Sequence, residues 1–243
     1  MDVVTVGDVM VDVRVEASAL EEGGDVHGRV LVRPGGSASN AAVWAAHAGA
    51  TARVHGRVGG DMAGALVRDE LVDRGVEPAL ALDQGAETGT MLIVHEPGER
   101  SMVADRGANG RLEPDDLPSR IDASAILVSG YALLFEPTTA AAVAALERAN
   151  ARFVAVDGAS WPMLRDFGVE RFFDASARAN TILLNDREAE TITELDPTGA
   201  GDAFDGVLLA NLAAGRSPGD ALHAACRAGA SVAASYETWP ARR

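Results

Sequence analysis

An α/β domain on a doubly wound, mostly parallel sheet, with helices on both faces and a small β-flap lid, is the fold class the sequence predicts. Three features carry that expectation. Short apolar runs alternate with helical patterns through the second half of the chain, which implies βαβ units. Val9, Val11, Val13 and Val15 show the period of a strand with one face exposed, and Val11–Val32 reads as strands that leave the main sheet to form a small flap. Asp8, Gly130, Asp157 and Asn185 each fall just past a predicted strand end, where open parallel sheets place their ligands. The 243 residues read as one domain, 1–243, with 11–32 and part of 79–104 forming the lid.

Val3–Val6 is the first strand, ending in Gly7-Asp8. Val9, Val11, Val13 and Val15 alternate with Met10, Asp12, Arg14 and Glu16, and His27–Val32 is a second extended piece closed by Pro34-Gly35-Gly36. Ala41, Ala42, Trp44, Ala45 and Ala48 then set helical spacing, which Gly49 ends. Ala52–Val58 is a strand, Met62–Arg74 an amphipathic helix stopped at Gly75, and Ala79–Leu82, Thr90–Val94 and Ser101–Ala104 are strands joined by turns. Pro114–Ile121 reads as a short helical piece. Ala125–Ser129, Phe153–Asp157 and Thr181–Leu184 are strands, Pro137–Ala149 is a helix, and the stretch to Ala177 is irregular or helical.

Composition excludes several functions. Net charge is −15 and the basic residues are scattered, so nucleic acid and anionic membranes are not expected partners. All 21 basic residues are Arg, which rules out a Walker A lysine, a Schiff-base lysine and a kinase strand lysine. Cys226 is the sole cysteine, so the chain has no internal disulfide; a buried structural thiol is expected there. With no signal-peptide pattern and no run apolar enough to span a membrane, a cytoplasmic protein is expected. The five histidines show no metal-ligand spacing.

The stretch with most chemical content is Asp196-Pro197-Thr198-Gly199-Ala200-Gly201-Asp202. It is a glycine turn running into a helix whose apolar positions are Phe204, Val207, Leu208, Leu209 and Leu212. Free N–H groups and the helix dipole make such a turn a phosphate site. Asp202 has two readings on local sequence: a general base taking a proton from an attacking hydroxyl, or an N-terminal cap. A second glycine loop, Arg33-Pro34-Gly35-Gly36-Ser37-Ala38-Ser39-Asn40, also enters a helix, and Asn185-x-x-Glu188 precedes the first turn. That last pair has a plain alternative as a helix cap.

With two glycine loops and Asn185-x-x-Glu188, the chain resembles the ribokinase family of sugar and nucleoside kinases, also called the PfkB family. Gly35-Gly36…Asn40 resembles its first signature, continued by Gly56-x-Val58-Gly59-x-Asp61-x-x-Gly64 and Gly75-Val76. Asp105-Arg106-Gly107-Ala108-Asn109 and Ser129-Gly130-Tyr131 match recurrent segments, and Asp196–Asp202 matches the second signature, with Pro197 where Thr is usual. The resemblance implies a ribokinase-like fold and transfer of the ATP γ-phosphoryl group to a primary hydroxyl of a sugar or sugar acid. It makes Asp202 the general base, and the N–H groups of Gly199, Ala200 and Gly201 part of the anion hole. Asp12, Gly35, Gly36 and Asn40 become substrate-binding positions, with Arg106 at the substrate's far end or holding its loop. Asn185 and Glu188 would organise Mg²⁺ and phosphate, and Asp196 would contact a monovalent cation such as K⁺. Lids of this kind often pair with a twin, which implies a homodimer through the lid.

One departure is large. Only seven residues, Ala189–Leu195, separate Glu188 from Asp196, where family members carry several dozen that form much of the adenine pocket. Seven residues cannot hold a helix and two strands. A shortened form of a longer chain, a compact kinase with a reorganised ATP site, and a sugar-binding or regulatory protein that does not phosphorylate its ligand all fit this departure. The gap is also expected to expose a sheet edge. A third class, dinucleotide binding, lacks the G-x-G-x-x-G expected after the first strand.

Overall fold

The computed structural model describes residues 2–17, 23–96, 99–193, 206–207, 209–211 and 213–233, and these form a six-stranded sheet, a four-stranded sheet and a two-stranded pair. Starting from β1 (Asp2–Val6), the chain forms β2 (Met10–Ala17) and β3 (Gly28–Gly35), then α1 (Ser37–His47), β4 (Thr51–Gly59), α2 (Met62–Asp73) and β5 (Val76–Asp83). A hairpin, β6 (Thr90–Glu96) and β7 (Glu99–Asp105), is followed by 3-10 turns at Gly107–Arg111 and Pro114–Asp116. Next come β8 (Ile121–Asp122), β9 (Ala125–Val128), α3 (Gly130–Leu134), α4 (Glu136–Arg148), β10 (Ala149–Asn150) and β11 (Phe153–Asp157). The remaining elements are α5 (Trp161–Phe167), α6 (Val169–Ala175), β12 (Thr181–Leu183), α7 (Asp186–Thr193) and α8 (Pro218–Ala233).

The central sheet has six strands in the order β12-β11-β9-β1-β4-β5, and every pairing in it is parallel. After β1 the chain first builds outward through β4 and β5, then crosses back and builds the other way through β9, β11 and β12. The strand order therefore reverses at β1, a switch point of the kind that forms a ligand crevice beyond the strand ends. The two faces of β1 show how both layers attach. Val4 and Val6 enter one core with Ile126, Val128, Leu133, Leu146, Val156 and Phe172. Between them the Thr5 hydroxyl donates to the Ala38 carbonyl of α1 at 2.8 Å on the opposite face. That second core is made of Val54, Val58, Val67, Leu71 and Val76 with Ala38 and Ala42. The buried face of α4 is mostly small (Thr138, Ala141, Ala142, Ala144, Ala145), and Leu146 completes it.

The second sheet runs β3-β2-β6-β7. The β2–β3 and β6–β7 pairs are antiparallel and β2–β6 is parallel. On one of its faces the register aligns Val32, Val13, Leu92 and Val103 in a row, with Val30 and Val15 alongside. Asp12, Arg14 and Arg33 belong to the other face, since side chains alternate along a strand. Val76–Asp83 pairs with β4 in the central sheet, so the second pair of strands in this smaller sheet is Thr90–Glu96 and Glu99–Asp105.

One local expectation is corrected. Pro114–Ile121 is not helical throughout: a three-residue 3-10 turn ends at Leu117, which is extended at φ −106°, ψ 145°. Pro118 is the reason, because its ring disfavours helical angles in the residue before it. The stretch after Asp157 becomes two seven-residue helices, α5 and α6. Cys226 is half-buried against the larger core, and burial pushes its thiol up from the ordinary value. Among the described residues β12 is an edge strand of the central sheet, three residues long, with Leu183 exposed.

Phe172 is fully buried and packs in the larger core. Phe172→Ala is expected to cost about 3–5 kcal/mol through lost transfer energy and the cavity it leaves, read from urea unfolding midpoints of the two proteins.

Candidate active site

The candidate site is assembled from strand ends and the roots of the four-stranded sheet. The first root, Gly7-Asp8-Val9, carries the chain from β1 into the lid. Asp8 is 6% exposed, and its Oδ1 accepts from Asn109 Nδ2 at 2.6 Å and from Arg106 Nη1 at 3.3 Å. The second root is Gly36, at φ +97°, a backbone region that L side chains rarely adopt. A Cβ at Gly36 would also collide with the Asp8 carbonyl. Gly35, the last residue of β3, leaves space occupied by the Asp12 carboxylate. Asp12 is buried and its Oδ2 accepts from Arg14 Nη2 at 3.4 Å. Burial raises the Asp12 carboxyl above its ordinary value, and Arg14 opposes that rise.

The second half of the site comes from the other wing of the sheet. Asn185 caps α7, and Glu188 closes a reciprocal capping box. Glu188 N–H donates to Asn185 Oδ1 at 3.0 Å, while Asn185 N–H donates to Glu188 Oε2 at 3.0 Å and its Nδ2 to Glu188 Oε1. Glu188 is only 5% exposed, and it packs against Gly158, where a Cβ would strike its carboxylate. Asp157, at the end of β11, accepts from Ala159 N–H at 2.9 Å and Gly130 N–H at 3.3 Å. Burial pushes its carboxyl up to about 6; the two N–H donors pull against this, and Glu188 and Asp8 add to the rise. Tyr131 lies within the same field: burial, then the charges of Asp157, Asp8 and Glu188, raise its hydroxyl.

The sequence-predicted residues are thus placed as follows. Asp12, Gly35 and Gly36 stand together at the lid roots. Asn40 lines a separate hollow of about 170 Å³ with Arg33, Ser39, Trp44, Glu70 and Arg74. Arg106 stacks on the Phe135 ring at 4.3 Å and reaches Asp8, so its guanidinium is engaged by the protein itself. Asn185 and Glu188 form the capping box. Asp196, Gly199, Ala200, Gly201 and Asp202 lie outside the described residues. Asn109 carried no role on sequence; the partner that reveals one lies 101 residues away, and no local pattern signals it.

Among the described residues no group of three His, Cys, Asp or Glu side chains could hold a metal ion. The Glu188 carboxylate is an oxygen donor, but both its oxygens are already taken by Asn185. Mg²⁺ keeps several waters and takes only one or two carboxylates beside substrate phosphates, so the pair fits a contact through water.

A parallel six-stranded sheet whose order reverses at β1, with a separate four-stranded sheet attached at that strand, is an α/β architecture of the doubly wound class. The chain belongs to the pfkB family of carbohydrate kinases, whose profile matches residues 1–195. It is 30% identical over 215 residues to an ATP-dependent ribose-1-phosphate kinase from Halopiger xanaduensis, covering 86% of this chain and 69% of that one. It is 34% identical over 144 residues to the Escherichia coli fructokinase, covering 58% of this chain and 44% of that one. The chain thus spans less than half the length of that fructokinase. The adenosine kinase of Sinorhizobium meliloti superposes with a TM-score of 0.67 at 21% identity, covering 98% of this chain and 95% of that one. A probable sugar kinase from Rhizobium etli gives the same score and identity over 98% and 94%. Among the described residues no helix is long and apolar enough to cross a membrane.

Because the Asp157 carboxyl is raised from 3.8 to about 6 in the folded chain, the folded state binds the extra proton across that window. Stability carried by the protonated form is complete below about pH 4 and is lost as pH rises through about 6. Asp157→Asn keeps the acceptor oxygen and removes the titration. Its stability relative to wild type is expected to rise by up to about 3 kcal/mol between pH 4 and pH 7, measured by urea unfolding at each pH.

Proposed function

We propose that the chain transfers the γ-phosphoryl group of ATP to a primary hydroxyl of a sugar or sugar acid, with Asp202 as general base. One observation carries this reading. A continuous set of neighbours runs from Asp12 and Gly35–Gly36, through Asp8 and Asp157, to the Asn185–Glu188 box. This run of neighbours at the strand-order reversal supports a single site between the two signatures. Family membership and relatives named as fructokinase and ribose-1-phosphate kinase support a sugar as acceptor.

In this reading Asp12 orients the sugar hydroxyls from the lid, and Gly35 and Gly36 let the sugar approach the backbone. Asn40 and Arg106 contribute at the margins. Asp202 takes the proton from the attacking hydroxyl, worth roughly 10²–10⁴ in rate. The N–H groups of Gly199, Ala200 and Gly201 hold the charge that grows on the transferring group, and phosphoryl transfer depends on such positioning more than on covalent help. Mg²⁺, when bound, neutralises phosphate charge; Glu188, oriented by Asn185, would hold it through water. Asp196 would contact K⁺.

The seven residues between Glu188 and Asp196 favour a second reading: a protein that binds sugar and regulates, without phosphorylating, for want of an adenine pocket. ADP release over a panel of sugars, sugar acids and nucleosides separates the two. Asp202→Asn is expected to lower turnover by about 10²–10⁴-fold while leaving sugar binding by calorimetry within a few-fold. Equal background release from both proteins would leave the second reading standing.

The lid's apolar row also supports a homodimer, since Val30 is 62% and Val103 65% exposed there. A twin lid would cover such a face. Light scattering is expected to report about twice the 25.1 kDa chain mass, falling to one chain in the variant carrying both Val30→Asp and Val103→Asp.

A further inference from the structure

The four-stranded sheet is joined to the central sheet by four crossings; three of them meet at Asp8, and the other is hydrogen-bonded to two of those three. The first is Gly7-Asp8-Val9 itself. The second is held where Ser39 N–H donates to the Asp8 carbonyl at 3.3 Å, with Gly36 packed on the same oxygen. The fourth returns from β7 through Arg106–Asn109, and two of its side chains seize the Asp8 carboxylate. The third runs from β5 to β6 and is tied to both neighbours: Glu87 O accepts from Ala108 N–H at 2.7 Å, and Gly89 O accepts from Val11 N–H at 2.9 Å.

Asn109 is the centre of this knot. It is 1% exposed; its Nδ2 donates to Asp8 Oδ1 at 2.6 Å and its Oδ1 accepts from Val9 N–H at 3.1 Å. One amide thus closes the first crossing onto the fourth with both of its polar atoms. Its orientation is dictated by the pairing, because only the NH₂ can face a carboxylate and only the oxygen can face an N–H. Arg106 extends the tie into the central domain: it stacks on Phe135 and its Nη2 lies 3.5 Å from the Tyr131 carbonyl. The lid carries Asp12, so whatever fixes the crossings fixes where Asp12 stands over the crevice.

We propose that Asn109 is a positioning residue that locks the lid to the central sheet by bridging Asp8 and Val9. The role in substrate handling rests on the sugar kinase reading, because it acts through Asp12. The coupling itself is independent of that reading. A buried hydrogen bond to a carboxylate is among the stronger neutral-to-charged contacts in a protein, and losing it unties the first crossing from the fourth, to each of which another crossing is bonded.

The test is hydrogen exchange followed by mass spectrometry on the full chain, with no sugar or nucleotide present, so a failed kinase assay cannot obscure it. Asn109→Asp sets two carboxylates face to face. It is expected to speed exchange in Met10–Ala17, Gly28–Gly35 and Thr90–Glu96 by roughly tenfold or more, with β4 and β9 little changed. Asn109→Ala serves as the single variant if Asn109→Asp does not fold. The exchanged pair, Asp8→Asn with Asn109→Asp, restores one amide facing one carboxylate but turns an NH₂ instead of an oxygen toward Arg106 Nη1, so exchange in this sheet is expected to recover part of the way, becoming at least about threefold slower than in Asn109→Asp. Equal acceleration of lid and central strands, no acceleration in the single variant, or an exchanged pair as fast as Asn109→Asp would each overturn the proposal. In an active preparation the single variant is expected to raise KM for the sugar at least tenfold more than it lowers kcat.

Discussion

The buried carboxylate of Asp8 is the constraint around which this structure is arranged. A charge taken out of water is tolerated only when donors replace the solvent, and here the donors come from the far end of the lid, Arg106 and Asn109. That requirement ties a residue at the end of β1 to a turn about a hundred residues later. Because β1 is where the strand order reverses, the same bond anchors the four-stranded sheet at that point. Val9 N–H is satisfied by the same asparagine, so the backbone at the root of β2 has its partner without water. A hydrophobic replacement of equal volume would fill the space and leave the crossings without a common anchor.

The opposite wing of the crevice follows a different logic. Asn185 and Glu188 satisfy each other and the first turn of α7, which makes the pair rigid before any ligand arrives. A capping box and a metal-organising pair are therefore not competing descriptions. The cap supplies the preorganisation that a water-mediated role at Mg²⁺ would need. Asp157 sits between the wings with its carboxyl pushed up to about 6 by burial. It brings to the crevice a carboxyl that changes charge in the mildly acidic range, close to Glu188 and Asp8.

Sequence reading reached the architecture through particular residues. The valine runs of β1 and β2, the stop at Gly49 and the helix before Gly75 each obey a local rule, and each element formed close to where that rule places it. Pro118 shows the limit: the helical pattern of 114–121 was visible, yet one ring ended it after a single turn. For the candidate site, Gly35–Gly36 stood out because glycine loops entering helices have a distinctive composition, Asp12 was reached through the family resemblance, and only the structure shows the Asp12 carboxylate packed against Gly35. Asn40 was legible as a motif member, but its hollow with Arg33, Trp44 and Arg74 was not. Arg106 read as a substrate contact or a loop holder; its guanidinium engages Asp8, Phe135 and the Tyr131 carbonyl.

The sequence by itself determined the α/β class, the two glycine loops, the cap at Asn185 and the short passage from Glu188 to Asp196. These rest on periodicity, backbone permissiveness and contacts within a few residues, all of which are local. Only the tertiary structure decided how β2, β3, β6 and β7 pair into one sheet, where the strand order reverses, and that Asn109 holds Asp8. Those outcomes depend on pairings between residues tens to a hundred positions apart, whose energy comes from burial and from satisfying buried polar groups together. No short stretch of sequence carries that information, because neither partner is buried until the other is in place.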